Sequence, residues 1–371
     1  MAGTILLSAG GTGGHLFPAQ ALAAVLNHRG WVVHLATDHR VNDYARDLPA
    51  AKVHIVPSGT FTRSPIAFAK AFAALASGYM TSRRTIVALK PAAVVGFGGY
   101  PTVPPLLAAA RLNVPTVIHD QNAVLGRANK FLAPRVTAIA TGFPKVRGAE
   151  MFVAKTVDTG SPVRQSVLDV ATAPYPPLRE HEPLRLLVFG GSQGARFMSD
   201  LVPPALAAMP AELRGKIAVT QQCRPEDMER VRAAYDTMGV RADLQSFFSD
   251  MPARIAATHL VVSRSGASTV AELGVIGRPA IMIPLPGALD QDQKANAEIM
   301  ARAGGGWMVE QRDMSPARLA EDIAKLMERP HQLSDAAQAA LRVGRPEAAE
   351  RLADLVEAVA ARKPFRGDAA A

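Results

Sequence analysis

The residues best suited to chemistry stand near the amino terminus, in the run Gly10-Gly11-Thr12-Gly13-Gly14-His15. Glycines let backbone N–H groups come close to an anion, and a helix starting directly afterwards adds the positive end of its dipole. A diphosphate or sugar phosphate is the natural ligand of such a bend. His15 follows at once. A helix amino terminus disfavours the imidazolium, so a neutral imidazole is expected, as a general base requires. Alone, a histidine in a first helical turn is as readily a partly buried packing residue. Its place directly after a ligand-cradling bend shifts the reading towards catalysis.

Two nucleotide signatures fail at this bend. A nicotinamide fingerprint needs G-x-G-x-x-G, and from Gly11 the run is Gly11, Gly13, Leu16. No Lys-Ser or Lys-Thr pair follows, so it is not a Walker loop. Three more bends repeat the theme: GFGGYPTVP (96–104), GGSQG (190–194) and RSGASTVAE (264–272). In the last, Thr269 and Glu272 have the spacing of a capping box. The alternative for Glu272 is a carboxylate that accepts two ribose hydroxyls. Asp290 and Asp292 have no histidine or further carboxylate beside them, so no metal site is read there, and no cofactor is expected.

These bends need strands before them and helices after them. Residues 4–8, 31–35, 92–95 and 116–118 read as buried strands, with helical patterns between, which is the mark of βα units and a parallel sheet. Pro18 in the first turn and Gly30 past the end bound the first helix. Residues 158–183 are proline-dense without a continuous apolar period and read as a connection. Beyond it strand, bend and helix return. The fold class is therefore α/β with two Rossmann-like halves, and 371 residues suffice for two cores.

The composition is that of a soluble globular protein: 49% hydrophobic, 20% charged, net charge +9 and a single cysteine. A lone cysteine excludes an internal disulfide. No basic segment precedes the first apolar run, so no signal peptide is expected, and no apolar stretch is long enough to span a bilayer. The positive charge calls for an anionic partner. Nucleic acid is not favoured, because aromatic residues are only 5% and none interleave with basic clusters. Between Asp47 and Asp120 there is no carboxylate, while Lys52, Arg63, Lys70, Arg83, Arg84, Lys90 and Arg111 all lie there. Phe68, Phe72, Leu75 and Tyr79 recur at helical spacing inside this block. Periodicity alone favours a core helix; the one-signed charge raises an anionic membrane surface as its partner.

Taken in order, GGTGGHLFPA, GFGGYPTVP, HDQNAVLGRANK, GSPVR, FGGSQGA, SRSGASTVAE and DQDQKANA resemble the MurG family of bacterial peptidoglycan N-acetylglucosaminyltransferases, across residues 3 to about 360. The resemblance implies a GT-B fold, two Rossmann-like domains with parallel sheets facing across an interdomain cleft. An acceptor and membrane-docking domain would span 1–162, with a helix near 345–362 packing back on it, and a donor domain 163–344. It implies an inverting hexosyltransferase that moves N-acetylglucosamine from UDP-GlcNAc to undecaprenyl-diphospho-N-acetylmuramoyl-pentapeptide (lipid I), giving lipid II, without a metal. His15 would be the base. The donor contacts would be Thr12, Gly13, Gly14, Asn122, Arg164, Ser192, the backbone at Phe248, Ala267, Ser268, Thr269, Glu272 and Gln293. Gly98, Gly99 and Tyr100 would meet the acceptor diphosphate. The family's place is the cytoplasmic face of the inner membrane, as a peripheral protein serving cell shape and division, with cell-wall or division complexes among the partners it implies. Asp120 replaces the family's glutamate, Ser161 an asparagine and Phe248 an aliphatic residue. The rivals are another GT-B enzyme, either a glycolipid glycosyltransferase or a UDP-GlcNAc 2-epimerase, and a non-catalytic nucleotide-sugar sensor.

Overall fold

The protein was analysed as a computed structural model, which describes residues 3–10, 12–39, 48–59, 65–191, 196–287 and 290–365; the side chains of 65–69 lie outside the description. It divides into two compact units, Met1–Arg164 with Arg345–Ala371, and Gln165–Gly344.

In the first unit seven strands form one sheet: β1 (Thr4–Ser8), β2 (Val32–Thr37), β3 (Lys52–Ile55), β4 (Ala93–Gly96), β5 (Thr116–Asp120), β6 (Ala138–Thr141) and β7 (Thr156–Asp158). Their order is β3-β2-β1-β4-β5-β6-β7, and every pair is parallel. The second sheet contains β8 (Leu184–Phe189), β9 (Ile217–Gln222), β10 (Arg241–Gln245), β11 (Leu260–Ser263), β12 (Ala280–Met282) and β13 (Gly306–Met308). Its order is β10-β9-β8-β11-β12-β13, again all parallel. In both sheets the winding reverses once, between β1 and β4 and between β8 and β11. Ligands of doubly wound sheets sit beyond the carboxyl ends of the strands at that reversal.

The central strands are buried along almost their whole length because helices cover both faces of a parallel sheet. Ile5, Leu7, Val95, Val117 and Ala140 are fully buried with Leu16, Leu22 and Leu26 of the Gly13–His28 helix. The Ala348–Ala360 helix adds Leu352, Val356 and Val359 to the same core. Arg29 clamps it from the surface with ion pairs to Asp354 and Glu357, each 2.7 Å. Leu186, Val188, Val219, Leu260 and Ile281 anchor the second core.

Strand ends differ from the sequence reading by a residue or two, as hydrogen bonding rather than hydropathy sets them. Pro18 is the sixth residue of its helix, not part of the first turn, because the helix begins at Gly13. Residues 158–183 are not a bare connection: they hold the end of β7 and a helix, Gln165–Ala171. Just beyond that helix the chain is pinned to the second unit. Arg278, 1% exposed, donates to Ala173 O, Pro174 O and Ala256 O, and Tyr175 donates to His259 O at 3.0 Å.

Candidate active site

At the reversal of the first sheet, two glycine bends meet. The amide of Gly10 donates to Gly98 O at 3.3 Å, tying the bend after β1 to the bend after β4. Thr12 is the N-cap of the Gly13–His28 helix, and its carbonyl accepts from His15 N and Leu16 N. His15 therefore lies in the first turn, half-buried. Its ring rests on glycine backbone: a Cβ on Gly98 would stand 3.1 Å from His15 Cε1, and one on Gly99 3.4 Å from His15 Cδ2. Both glycines have positive φ, +92° and +79°. Any other residue there would be strained and would displace the imidazole.

The remaining family positions of this unit lie on the same helix, on the bends after β4 and β5 and at the end of the unit. Gly13 contacts Phe17, and the guanidinium of Arg164 stacks 4.0 Å from the Phe17 ring centroid, so Arg164 is held beside the helix amino end. Tyr100, half-buried, opens a 3-10 turn whose Thr102 hydroxyl donates to Gly99 O at 2.7 Å. Asn122 sits in the bend after β5, and Asp120 shapes that bend. Asp120, 2% exposed, accepts from Asn122 N (3.1 Å), Gly126 N (2.7 Å) and Asn129 Nδ2 (3.0 Å). Burial pushes its carboxyl up to about 6, against the pull of those hydrogen bonds. Both of its oxygens are engaged by the bend, one with Asn122 N and the other with Gly126 N and Asn129 Nδ2. His119 is fully buried; burial lowers its pKa to about 4, and its Nε2–H donates to Gly160 O at 3.0 Å. Asn129 was not singled out by the sequence reading, although it lies in HDQNAVLGRANK. It bridges His119 O, Asp120 and the neighbourhood of Gly98.

At the reversal of the second sheet, Ser192 and the rest of 192–195 lie outside the described residues. The bend after β11 is described fully. Gly266 is the N-cap of the Ala267–Ile276 helix, so Ala267, Ser268 and Thr269 form its first turn. This removes the capping-box reading: Thr269 is the third helical residue and no side chain caps that end. Glu272 lies one turn further on, 8% exposed. Ser268 Oγ is buried with no partner among the described residues, a polar atom that a ligand at this helix end would satisfy. Phe248 is 3% exposed with Arg254 over its ring at 4.1 Å, so the ring is taken up by packing.

Gln293, in the first turn of the Asp292–Arg302 helix, is held at both ends. Its Oε1 accepts from Leu285 N at 3.0 Å and its carbonyl from Ser265 Oγ at 2.8 Å. Asp292 Oδ1 accepts the Gln293 amide at 2.9 Å. Three further residues escaped the sequence reading because only spatial neighbours reveal them. Gln222 joins Gly190 N to Ser246 O; Asn296 donates to Ser265 O; Arg264 donates to Ile283 O, Pro284 O and Gln311 Oε1.

Within the basic block, Lys70, Arg83 and Arg84 lie on the Pro65–Leu89 helix. Ala71, Gly78, Ser82 and Ile86 face inward, whereas Phe72, Met80 and Val87 are 64%, 46% and 53% exposed, with Arg83 and Arg84 also in solvent. Leu75 and Tyr79 are half-buried, so the exposed stripe runs through Phe72, Met80 and Val87. The Phe68 side chain lies outside the description. Among the described residues no helix is long and apolar enough to cross a membrane.

Comparison with known proteins gives these bends a family. The N-terminal domain of glycosyltransferase family 28 matches residues 5–141, and its C-terminal domain residues 185–352. The UDP-N-acetylglucosamine--N-acetylmuramyl-(pentapeptide) pyrophosphoryl-undecaprenol N-acetylglucosamine transferase of Chelativorans sp. (strain BNC1) is 55% identical over 363 residues, 97% of this chain and 96% of its own. The chain belongs to the MurG family. The transferase of the same name from Brucella abortus (strain S19) is 54% identical over 97% of this chain and 95% of its own. A crystal structure of Acinetobacter baumannii MurG superposes with a TM-score of 0.76 at 28% identity, covering 96% of this chain and 99% of that one. Membership of the MurG family makes the chain a glycosyltransferase of GT-B type, with two Rossmann-like units.

Proposed function

We infer that the chain transfers N-acetylglucosamine from UDP-GlcNAc to the 4-hydroxyl of the muramyl sugar in pentapeptide pyrophosphoryl-undecaprenol, with inversion. The observation that carries this reading is the seat of His15 on Gly98 and Gly99, at the carboxyl edge of the first sheet where its winding reverses. Displacement at the anomeric carbon has two demands. The acceptor hydroxyl must lose its proton, for which a positioned imidazole contributes roughly 10²–10⁴-fold. The departing UDP must gain negative charge. The Gly13–His28 and Ala267–Ile276 helices each direct amide N–H groups from a small-residue first turn. A donor aimed at developing charge lowers the barrier by about 3–4 kcal/mol, so a few of them match the work of a cation.

Each unit is assigned its own contacts. Thr12, Gly13, Gly14, Asn122 and Arg164 serve the donor from the first unit, and Gly98, Gly99 and Tyr100 the acceptor diphosphate. In the second unit Ala267 to Thr269 bind phosphate, Glu272 the ribose, the Phe248 main chain the uracil and Gln293 the sugar, with Ser192 assigned by its motif alone. The stripe of Phe72, Met80 and Val87 beside Arg83 and Arg84 is proposed to rest on an anionic leaflet at the cytoplasmic face. There each nearby cation adds about 1 kcal/mol.

Incubation with labelled UDP-GlcNAc and a lipid I analogue, with and without EDTA, tests the reading. Formation of the disaccharide lipid with stoichiometric UDP in both arms is expected. Release of UDP without an acceptor product, or transfer abolished by the chelator, overturns it.

A further inference from the structure

Arg264, the first residue after β11, is 7% exposed, and among the described residues its guanidinium meets no carboxylate. Its Nη1 donates to Ile283 O at 2.9 Å and to Pro284 O at 3.0 Å, and its Nη2 to Gln311 Oε1 at 2.6 Å. Its Nε has no partner among the described residues and the Phe197 ring centroid lies 5.2 Å from the guanidinium, so the buried cation is surrounded by neutral groups and carries a desolvation penalty that an apolar side chain of like volume would avoid. Fastening strand ends alone does not need it. The partners show what the charge orients. Pro284 C=O and Leu285 N–H belong to one peptide unit, and in a trans peptide they point in opposite directions. Arg264 grips the carbonyl side of that unit. Gln293 Oε1 accepts from its N–H side at 3.0 Å. With its Oε1 so engaged, the Gln293 amide has its Nε2 donors left to offer a ligand. The next residue completes the clamp, since Ser265 Oγ holds the Gln293 carbonyl and Asn296 Nδ2 holds the Ser265 carbonyl.

We propose that Arg264 is a positioning residue for sugar recognition: through the Pro284–Leu285 peptide it sets the Gln293 side chain as a hydrogen-bond donor towards the transferred sugar. The inference rests on the assignment of Gln293 to the donor sugar. Without Arg264 the peptide unit is free to turn, Leu285 N–H leaves Oε1, and the amide no longer presents its donors in one direction. The assigned phosphate contacts, Ala267 to Thr269, begin three residues further along the same bend, so UDP affinity is the measure of whether that bend itself has moved.

UDP carries every nucleotide contact, ribose included, but lacks the transferred sugar, so it separates this role from general damage. Affinities for UDP and UDP-GlcNAc are to be measured by calorimetry on the full-length wild type, Arg264→Met, Arg264→Lys, Gln293→Ala and the Arg264→Met/Gln293→Ala double variant. Arg264→Met is expected to weaken UDP-GlcNAc about three- to tenfold, the range of one hydrogen bond, with UDP binding unchanged. Arg264→Lys should recover part of that loss, because an ammonium still reaches a carbonyl. The double variant should be no weaker than Gln293→Ala. Equal weakening of UDP and UDP-GlcNAc in Arg264→Met, or additive losses in the double variant, overturns the clamp while leaving Gln293 as a sugar contact. An unchanged affinity ratio in Gln293→Ala overturns the Gln293 assignment itself, and the clamp with it.

Discussion

Gly98→Ala introduces a single methyl group at the seat of His15. Its Cβ would stand 3.1 Å from His15 Cε1 and 3.3 Å from Nδ1, against a favourable carbon–carbon separation of about 3.5–4.0 Å. The imidazole must retreat by several tenths of an ångström. The direction open to it is its Cδ2 edge, which faces the side-chain-free backbone of Gly10 and Gly99. A misplacement on the order of 1 Å costs about 10²-fold in rate, so a fall in kcat of about tenfold or more is expected. Alanine at φ +92° also strains the backbone by about 1–2 kcal/mol. Gly30→Ala is the matched control: its φ is +87°, yet nothing lies within 4 Å of its Cβ site. Urea unfolding should show similar losses for both variants, while turnover of UDP-GlcNAc with a lipid I analogue should fall only for Gly98→Ala. The methyl group also borders the proposed acceptor site, so the substitution is repeated in His15→Ala. There it should cost little further, since no ring remains to be moved. Equal turnover of the Gly98 and Gly30 variants, or an undiminished effect in the His15→Ala background, refutes the reasoning.

Other outcomes follow from the same geometry. His15→Ala should lower kcat by at least ~10² with little change in UDP-GlcNAc affinity; near-normal turnover removes His15 as the base. Burial raises the Asp120 carboxyl from 3.8 to about 6, so its contribution to stability is full below pH ~4 and is lost as pH rises through ~6, a span of about 3 kcal/mol. The unfolding free energy of wild type relative to Asp120→Asn should therefore rise as pH is lowered from 7 to 4, with His119 cancelling in the difference; a flat difference contradicts the assignment. A Phe72→Ser/Met80→Ser/Val87→Ser variant should pellet less with anionic liposomes than wild type, and equal pelleting counts against that face as the docking surface.

The order of strand, glycine bend and helix was legible in the sequence because each step is local. Apolar runs mark buried parallel strands, and glycine followed by a small-residue turn marks where a helix begins. His15, Gly98 and Ala267 to Glu272 could be named on that ground, and the motif series carried the family. Other features depended on neighbours distant along the chain. Thr269 and Glu272 have capping-box spacing, yet the helix starts at Gly266, and its hydrogen bonds rather than residue types decide that boundary. Phe72 and Leu75 share one period, but only packing against the Val103–Arg111 helix and neighbouring segments of the chain shows that Phe72 is the exposed one. Asp120 could not be given a role from its type, because its role is set by which three donors the fold brings to it. Sequence thus determined which segments become bends between strand and helix, since backbone freedom and apolar period are properties of short stretches. Tertiary structure decided which side chains those bends hold and in what orientation, since that depends on peptide units that meet only when the sheets are wound.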